Sequence, residues 1–510
     1  MGAEGRRAQE AEVQGQVTPK PRPVPRAPGG AGLQWPVTPR PGQAEAAEEL
    51  AQLIGQGSRV LFSAPVGWGK THTVIAALVA AKALPALWLV RSLALGPRIA
   101  EDAALWQLVS FVAAGREKAC PLGQERGDAI HDYCRYFRHK CPYARLPPSP
   151  PLATSWEELV ARGEKEGWCP YFAQDLVGAD IVVQSYYRRR RPVRAVIIDE
   201  AHNLLTPEER EFTIGRLAEA VAAARELGAG EKLMRGLQRT LRYALIKDGD
   251  LDISLFISEE EMDELRKLYF TALEEGDKRL KILMDLTKAA AIYVEGERIR
   301  IYRPPFPLPF RPAIFVSATM PPEAARFLQV EAELRIPWAA KPKARVAEDV
   351  ATKYEEYGAD MALRYKKLLI DTAKRYKRVL VFAASERVAR DLRAWVTYEE
   401  CQPSGDWEGI LLLKARGRYA EGVDLPADCV VMAGAPYLPP EVSSRLARTY
   451  KAAGHPDPVR AAIDMPMLIA TLQCLGRAWR DPSKQPPHVV LADWRFTKYR
   501  DTLSEYLDFA

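Results

Sequence analysis

The chain has 510 residues, 47% of them hydrophobic, and a formal net charge of +6. That length holds several cores, so roughly three or four domains are expected, and the mild charge excludes a globally basic surface, leaving a local channel for any polyanion. No apolar run reaches the roughly 18 residues a membrane span needs and the N-terminus has no apolar signal core, so a cytoplasmic protein is expected, or a nuclear one in a eukaryote.

Residues 1–39 hold Gly, Pro, Arg and Gln with almost no large apolar side chain, and Pro19, Pro21, Pro23, Pro25 and Pro28 interrupt any period. Such a segment buries no core and is expected to be a disordered tail. From Glu45 onward short apolar runs alternate with helical stretches, the pattern of parallel α/β layers. A first strand is expected at 59–62. Ala64, Pro65, Val66, Gly67, Trp68, Gly69, Lys70 and Thr71 follow it and open an apolar helix expected over 71–84, with His72 in its first turn. This is the strand, loop and helix order of a phosphate-binding P-loop. Small residues let backbone N–H groups wrap the phosphates, the helix N-terminus adds a favourable dipole, Lys70 reaches the β and γ phosphates and Thr71 binds magnesium. Ala64 stands where the pattern has its first glycine.

A second strand is expected at 86–90. Beyond it lie Cys120, Cys134, Cys141 and Cys169, four of the seven cysteines, with 13, 6 and 27 residues between them. Cysteines in a reducing compartment point to metal ligands or core residues rather than disulfides, the more so when they group. Four thiolates bind zinc or an iron–sulfur cluster. The lack of paired Cys-x-x-Cys knuckles favours a [4Fe–4S] cluster, with zinc left as the alternative. His139 is a substitute ligand should Cys141 not serve. Around them Arg135, Tyr136, Arg138, His139, Lys140, Tyr143 and Arg145 interleave charge with aromatic rings, which suits the phosphates and stacked bases of a single strand; a solvated surface is the plainer reading. Cys401, Cys429 and Cys474 lie elsewhere, Cys429 as a core residue.

Strands are expected at 180–183 and 195–198, flanking Tyr186 and the run Arg188 to Arg191, for which phosphate contact and plain solvation weigh equally. Asp199, Glu200, Ala201 and His202 follow at the carboxyl end of the second strand, where open α/β sheets bind ligands. Asp199 is expected to hold magnesium and Glu200 to orient and activate the attacking water. Next to them stands Asn203, the only asparagine of the chain. From about 206 a charged stretch with helical spacing reads as a helical insertion, and the strand series resumes at 313–316. A second series at 379–382, 410–413, 429–432 and 489–491 makes a second α/β domain, and two such domains in tandem suit a nucleotide bound between them.

These motifs resemble the superfamily 2 helicases, and within them the XPD/Rad3-like and DinG-like iron–sulfur branch, from about Pro39 to the C-terminus. Arg40-Pro41-Gly42-Gln43 is similar to the element that reads the nucleotide base, with Arg40 and Gln43 as its contacts, and Leu89-Val90-Arg91-Ser92 to a DNA-contacting motif. Asp199 to Leu204 looks like the branch's extended acidic box, with His202 in it. Ser317-Ala318-Thr319-Met320 is similar to the motif that couples hydrolysis to domain movement. Ala415-Arg416-Gly417-Arg418-Tyr419-Ala420-Glu421-Gly422-Val423-Asp424 and Gln473-Cys474-Leu475-Gly476-Arg477-Ala478-Trp479-Arg480 resemble motifs V and VI. Glu421, Gly422 and Asp424 are carried over as nucleotide-binding, and Gln473, Arg477 and Arg480 as catalytic. Arginines that neutralise γ-phosphate charge accelerate phosphoryl transfer, and a spacing of i and i+3 would put Arg477 and Arg480 on one helix face. All four cysteines fall where this branch inserts its cluster domain; some relatives place the third ligand nearer the second, where Phe137 stands here.

The fold implied is α/β, with two RecA-like P-loop motor domains and, in the first, an iron–sulfur cluster domain and a helical arch-like insertion. The expected boundaries are 40–110, 176–205 and 312–340 for the first motor domain, 111–175 for the cluster domain, 206–311 for the arch and 341–510 for the second motor domain. The resemblance further implies ATP, Mg2+ and a [4Fe–4S] cluster as cofactors, and translocation on single-stranded DNA with 5′-to-3′ polarity in DNA repair. It implies a monomeric motor that engages forked or tailed duplex DNA, with repair or transcription proteins as partners. An RNA-directed helicase, or a P-loop ATPase that remodels or binds without unwinding, remain the alternatives.

Overall fold

The computed structural model describes residues 33–188, 191–305, 307–338, 340–403, 407–417, 425–479 and 485–509. The chain divides into two compact units, Met1–Pro39 with Ile75–Val196 and Arg40–Val74 with Ile197–Ala510. In the first, the strand Ile181–Ser185 runs parallel between Ala86–Val90 and Ser110–Ala113. Every residue of Ala86–Val90 is buried, which is why it reads as an unbroken apolar run. Helix Gly96–Leu105 lies so close to this layer that a Cβ at Gly96 would come within 2.7 Å of Val112 Cγ1. Between residues 114 and 180 the described chain forms helices only, among them Arg116–Ala119, Ile130–Tyr136, Trp156–Glu166 and Pro170–Ala173. Their core gathers Ala114, Ala119, Cys169, Tyr171 and Phe172.

In the second unit the strand Arg59–Ser63 runs parallel between Ala313–Ser317 and Ala332–Arg335, in a register that pairs Ser63 with Ser317. The loops that follow these two strands therefore leave the sheet at one level. A seven-stranded sheet has the order Tyr398–Glu399, Gly409–Lys414, Arg378–Ala383, Cys429–Ala433, His488–Ala492, Lys343–Val346, Asp508–Phe509. Its pairings are parallel. Alternate residues of Arg378–Ala383 feed separate cores: Leu380 and Phe382 enter one, Val379 and Val381 the other, as a period of two requires for a strand covered on both faces.

The insertion differs from the all-helical expectation. Helices Ile214–Glu226, Glu231–Ile246, Glu259–Glu274 and Lys281–Thr287 are there, but so is a four-stranded antiparallel sheet of Glu208–Thr213, Arg298–Arg303, Ala291–Glu295 and Gly249–Asp250. A hairpin turning at Gly296, φ +57°, joins two of these strands. Charge masks the pattern: Glu208–Thr213 shows one apolar residue, Phe212, and its Glu209 and Glu211 pair instead with Arg300 across the ladder. The P-loop helix is also shorter than expected. It spans Lys70–Ala80, and Lys82 at φ +52° closes it as the Ala83 N–H donates to Leu78 O at 2.9 Å. Among the described residues no helix is long and apolar enough to cross a membrane.

Candidate nucleotide site and four-cysteine cavity

The P-loop lies wholly in the second unit, between the strand ending at Ser63 and the helix starting at Lys70. Gly67 and Gly69 adopt φ +75° and +100°, the left-handed region in which glycine escapes a Cβ clash. Gly69 is also hemmed in: a Cβ there would meet Gln43 Nε2 at 2.2 Å. The buried Gln43 amide is the loop's brace. Its Nε2 donates to Trp68 O at 2.9 Å and Gly69 O at 3.2 Å, while its Oε1 accepts the Arg40 N–H at 2.6 Å. The Arg40 guanidinium donates to Gly67 O. Arg40 and Gln43, inferred as base contacts, thus converge on the loop 64–69 itself.

Lys70 Nζ donates to Ala64 O and Pro65 O, both at 3.0 Å. Burial lowers its pKa, opposed by the charges of Glu200 and then Asp199. Thr71 and His72 occupy the first turn of the helix, half-buried. Asp199 and Glu200 follow the buried strand Ala195–Ile198 directly. Glu200 sits at φ +49°, ψ +45°, a left-handed conformation that costs a non-glycine residue roughly 1–2 kcal/mol. Asp199 Oδ1 accepts the Glu200 N–H at 2.9 Å, and Asn203 donates to Glu200 O from its side chain at 2.8 Å and its backbone at 3.0 Å. The sole asparagine thus holds the acidic pair in its strained turn.

A continuous polar chain leads away from Glu200. His202 is buried, with Nδ1 3.2 Å from Glu200 Oε2, 2.9 Å from Ser317 Oγ and 3.4 Å from Gln473 Nε2. Gln473 Nε2 donates to Thr319 Oγ1 at 2.5 Å, and the Thr319 N–H donates to Ser317 Oγ at 3.2 Å. Three segments that lie far apart in sequence meet at one imidazole. Gln473 is presented by helix Asp464–Leu475. Arg477 is not on that helix, contrary to the one-face expectation: the helix ends at Leu475, with Gly476 as its C-cap, a residue that weakens helix continuation. Arg477 is buried in the turn beyond. Arg480, Glu421, Gly422 and Asp424 lie outside the described residues, as do Arg418, Tyr419, Ala420 and Val423.

In the first unit, Cys120, Cys134, Cys141 and Cys169 line one cavity together with Arg116, Arg138, Tyr171 and Phe172. They come from three places: the end of helix Arg116–Ala119, helix Ile130–Tyr136 with the turn after it, and the start of helix Pro170–Ala173. Burial pushes the Cys120 thiol up to about 12, with the other three cysteines adding to it. Burial likewise raises Cys134, against the pull of Arg116 and Arg138. The two guanidiniums lie over aromatic rings, Arg116 at 4.7 Å from the Tyr171 centroid and Arg138 at 4.3 Å from that of Phe172. Cys141, the third ligand in the sequence reading, faces the same cavity, whereas Phe137 and His139 are not among its lining residues. Among the described residues no group of three or more His, Cys, Asp or Glu is disposed to hold a single metal ion.

Residues 363–508 match the helicase C-terminal domain family. A solved XPD helicase aligns with 93% of this chain and 100% of its own, at 19% identity and a TM-score of 0.65. Apo XPD aligns with 91% of this chain and 100% of its own, at 17% identity and a TM-score of 0.58, and Xpd4 of S. tokodaii with 92% and 100%, at 17% and 0.58. The chain has the XPD helicase fold. On that fold the residues expected to touch nucleic acid divide. Arg91 and Ser92 are exposed just past the strand Ala86–Val90, Ser92 Oγ accepting the Ala94 N–H at 3.4 Å. Arg135 and Tyr136 are exposed, the guanidinium 5.6 Å from the ring centroid. Arg138 instead faces the cysteine cavity.

Arg188 and Tyr186 need correction. The Arg188 side chain is 1% exposed; it pairs with Asp175 at 2.6 Å and donates to Tyr171 O at 2.7 Å. Such a guanidinium is committed to tying the strand Ile181–Ser185 to the cysteine-bearing helices and presents nothing to a phosphate. Tyr186 is buried too, its N–H bonded to Val90 O at 3.1 Å. The neighbouring Arg189 and Arg190 lie outside the described residues. Sequence reasoning missed Arg116 as a charged wall of the cavity. Its only signal is a place one helical turn before Cys120.

Proposed function

We propose that this chain is an ATP-dependent DNA helicase that moves 5′-to-3′ along single-stranded DNA in repair. DNA, polarity and repair come from the motif resemblance, and the ATP-driven part of the reading is carried by the polar chain from Glu200 through His202 and Ser317 to Thr319 and Gln473. It connects the acidic pair beside the P-loop with the helix that ends at the second domain's arginine segment. Lys70 releases the Ala64 and Pro65 carbonyls to bind the β and γ phosphates. Thr71 and Asp199 would hold magnesium, which would screen phosphate charge when bound. Glu200 orients the attacking water, and His202 relays the altered hydrogen bonding of Glu200 to Ser317 and Gln473. Arg477 and Arg480 neutralise the γ-phosphate as the two motor domains close.

The donor set of the cysteine cavity fits an iron–sulfur cluster. Four thiols share it with two arginines whose charge offsets that of bound thiolates. Four cysteines suit a zinc ion as well, a choice that metal analysis decides. A group held there would tie the helix that carries Arg135 and Tyr136 to the segments bearing Cys120 and Cys169.

Strand displacement on 5′-tailed and 3′-tailed duplexes, with matched RNA substrates and an iron and zinc analysis, tests the reading. Unwinding of the 5′-tailed DNA with about four irons per chain is expected, lost in Lys70→Ala. Cys134→Ser is expected to lose iron and unwinding while keeping part of the ATP hydrolysis. Hydrolysis indifferent to single-stranded DNA would sink the helicase reading; preference for RNA would redirect it; zinc in place of iron would replace the cluster.

A further inference from the structure

Helix Glu231–Ile246 of the insertion turns a line of cations to solvent. Leu233, Met234, Leu237, Thr240 and Ala244 are its buried face. Lys232, Arg235, Arg239 and Arg242 are exposed on the other. At 3.6 residues per turn, steps of three, four and three residues keep these four within an arc of about 80° and along about 15 Å of helix. The helix has no acidic residue after Glu231.

Six other arginines of the insertion are neutralised within the fold. Arg210, Arg266, Arg279, Arg298, Arg300 and Arg303 each pair with a carboxylate. None of the four stripe cations has a carboxylate within ion-pair distance among the described residues. Glu261 feels the charges of Lys232 and Arg235, but it is bound to its own capping box, accepting the Ser258 N–H at 2.7 Å. Four like charges aligned on one helix face repel one another, at a few tenths of a kcal/mol per neighbouring pair, so the arrangement favours an external polyanion.

We propose that this stripe is a second nucleic-acid contact that grips the phosphate backbone of duplex DNA, which rests on the helicase reading above. Duplex carries one charge per about 1.7 Å of axis, so the stripe faces several phosphates at once. Single-strand sites add rings on which bases stack. Here the one aromatic residue of the helix, Tyr243, is half-buried and donates its hydroxyl to Asp250 O at 3.1 Å, so the stripe suits a backbone and not unpaired bases.

The test combines Lys232→Ala, Arg235→Ala, Arg239→Ala and Arg242→Ala in the full chain and titrates blunt duplex, a forked duplex, a dT oligomer and polyglutamate without ATP over a range of salt. Expected is a loss of at least tenfold in duplex and fork affinity, with the salt slope falling by about 3 to 4, while dT-stimulated ATP hydrolysis stays as in the parent chain and reports an intact fold. Single Arg239→Glu provides the same reading should the fourfold variant fold poorly. Unchanged duplex affinity and salt slope would overturn the proposal, as would loss confined to polyglutamate, which would assign the stripe to an acidic protein. A parent chain whose hydrolysis ignores dT would defeat the helicase reading, yet the duplex titration would still decide the stripe.

Discussion

Glu200 combines two demands that conflict. Its carboxylate faces His202, and its backbone is left-handed at φ +49°. Glycine relieves that strain and alanine does not, so Glu200→Gly should be more stable than Glu200→Ala by about 1 kcal/mol, with both lacking hydrolysis; the two denaturation midpoints measure it. Arg188 is the opposite case, a charged residue whose work is internal. Arg188→Ala strands Asp175 and the Tyr171 carbonyl, and a loss of about 3 kcal/mol is expected, seen as a lower unfolding temperature, with ssDNA affinity per folded molecule unchanged. Residue type made the P-loop and acidic box legible, since their chemistry admits few substitutes. The burial of Arg188 and Tyr186 was not legible, because an arginine run reads alike whether its guanidiniums meet phosphate or a carbonyl folded back from elsewhere.

Among the elements, the parallel strands were read well. Those at 59–63, 86–90 and 378–383 are buried on both faces, and continuous apolar runs leave little choice. The sheet of the insertion is hard to see in the sequence because its strand Glu208–Thr213 carries Glu209 and Glu211, paired across the ladder with Arg300, where a buried strand would carry apolar residues. Its anchor on the second strand series was invisible as well. Helix Pro440–Ala452 contributes Val442, Leu446 and Tyr450 to a cluster with Ala291 and Tyr302, and Arg445 from the same helix binds Asp250 at 2.8 and 2.6 Å and Asp252 at 3.0 Å. The ion pair is partly exposed, so Arg445→Ala should cost about 1 kcal/mol, whereas Leu446→Ala, which opens a cavity, should cost about 3 kcal/mol. Limited proteolysis of the insertion should rank the two variants in that order; a reversed order would make the charges the stronger tie.

At the scale of the whole molecule, the arginine segment after Gly476 was legible as a motif, but its helical phase was not, since one glycine moved the helix end ahead of Arg477. Of the three boundaries between the two compact units, Pro39 to Arg40 lies outside any element, while Val74 to Ile75 and Val196 to Ile197 each cut one. One falls inside helix Lys70–Ala80 and the other inside the strand Ala195–Ile198. Neither crossing is a linker of the Gly, Ser or Pro kind that lets domains be taken apart. Neither of these two crossings is therefore a safe place to cut the chain. A recombinant piece of residues 75–196 would start in mid-helix and stop in mid-strand, and the remainder would hold Lys70 and Asp199 on elements with their ends missing. Both pieces should be recovered as aggregates, and mixing them should not restore ATP hydrolysis. Soluble, iron-containing 75–196 would show the cysteine-bearing part to be autonomous after all.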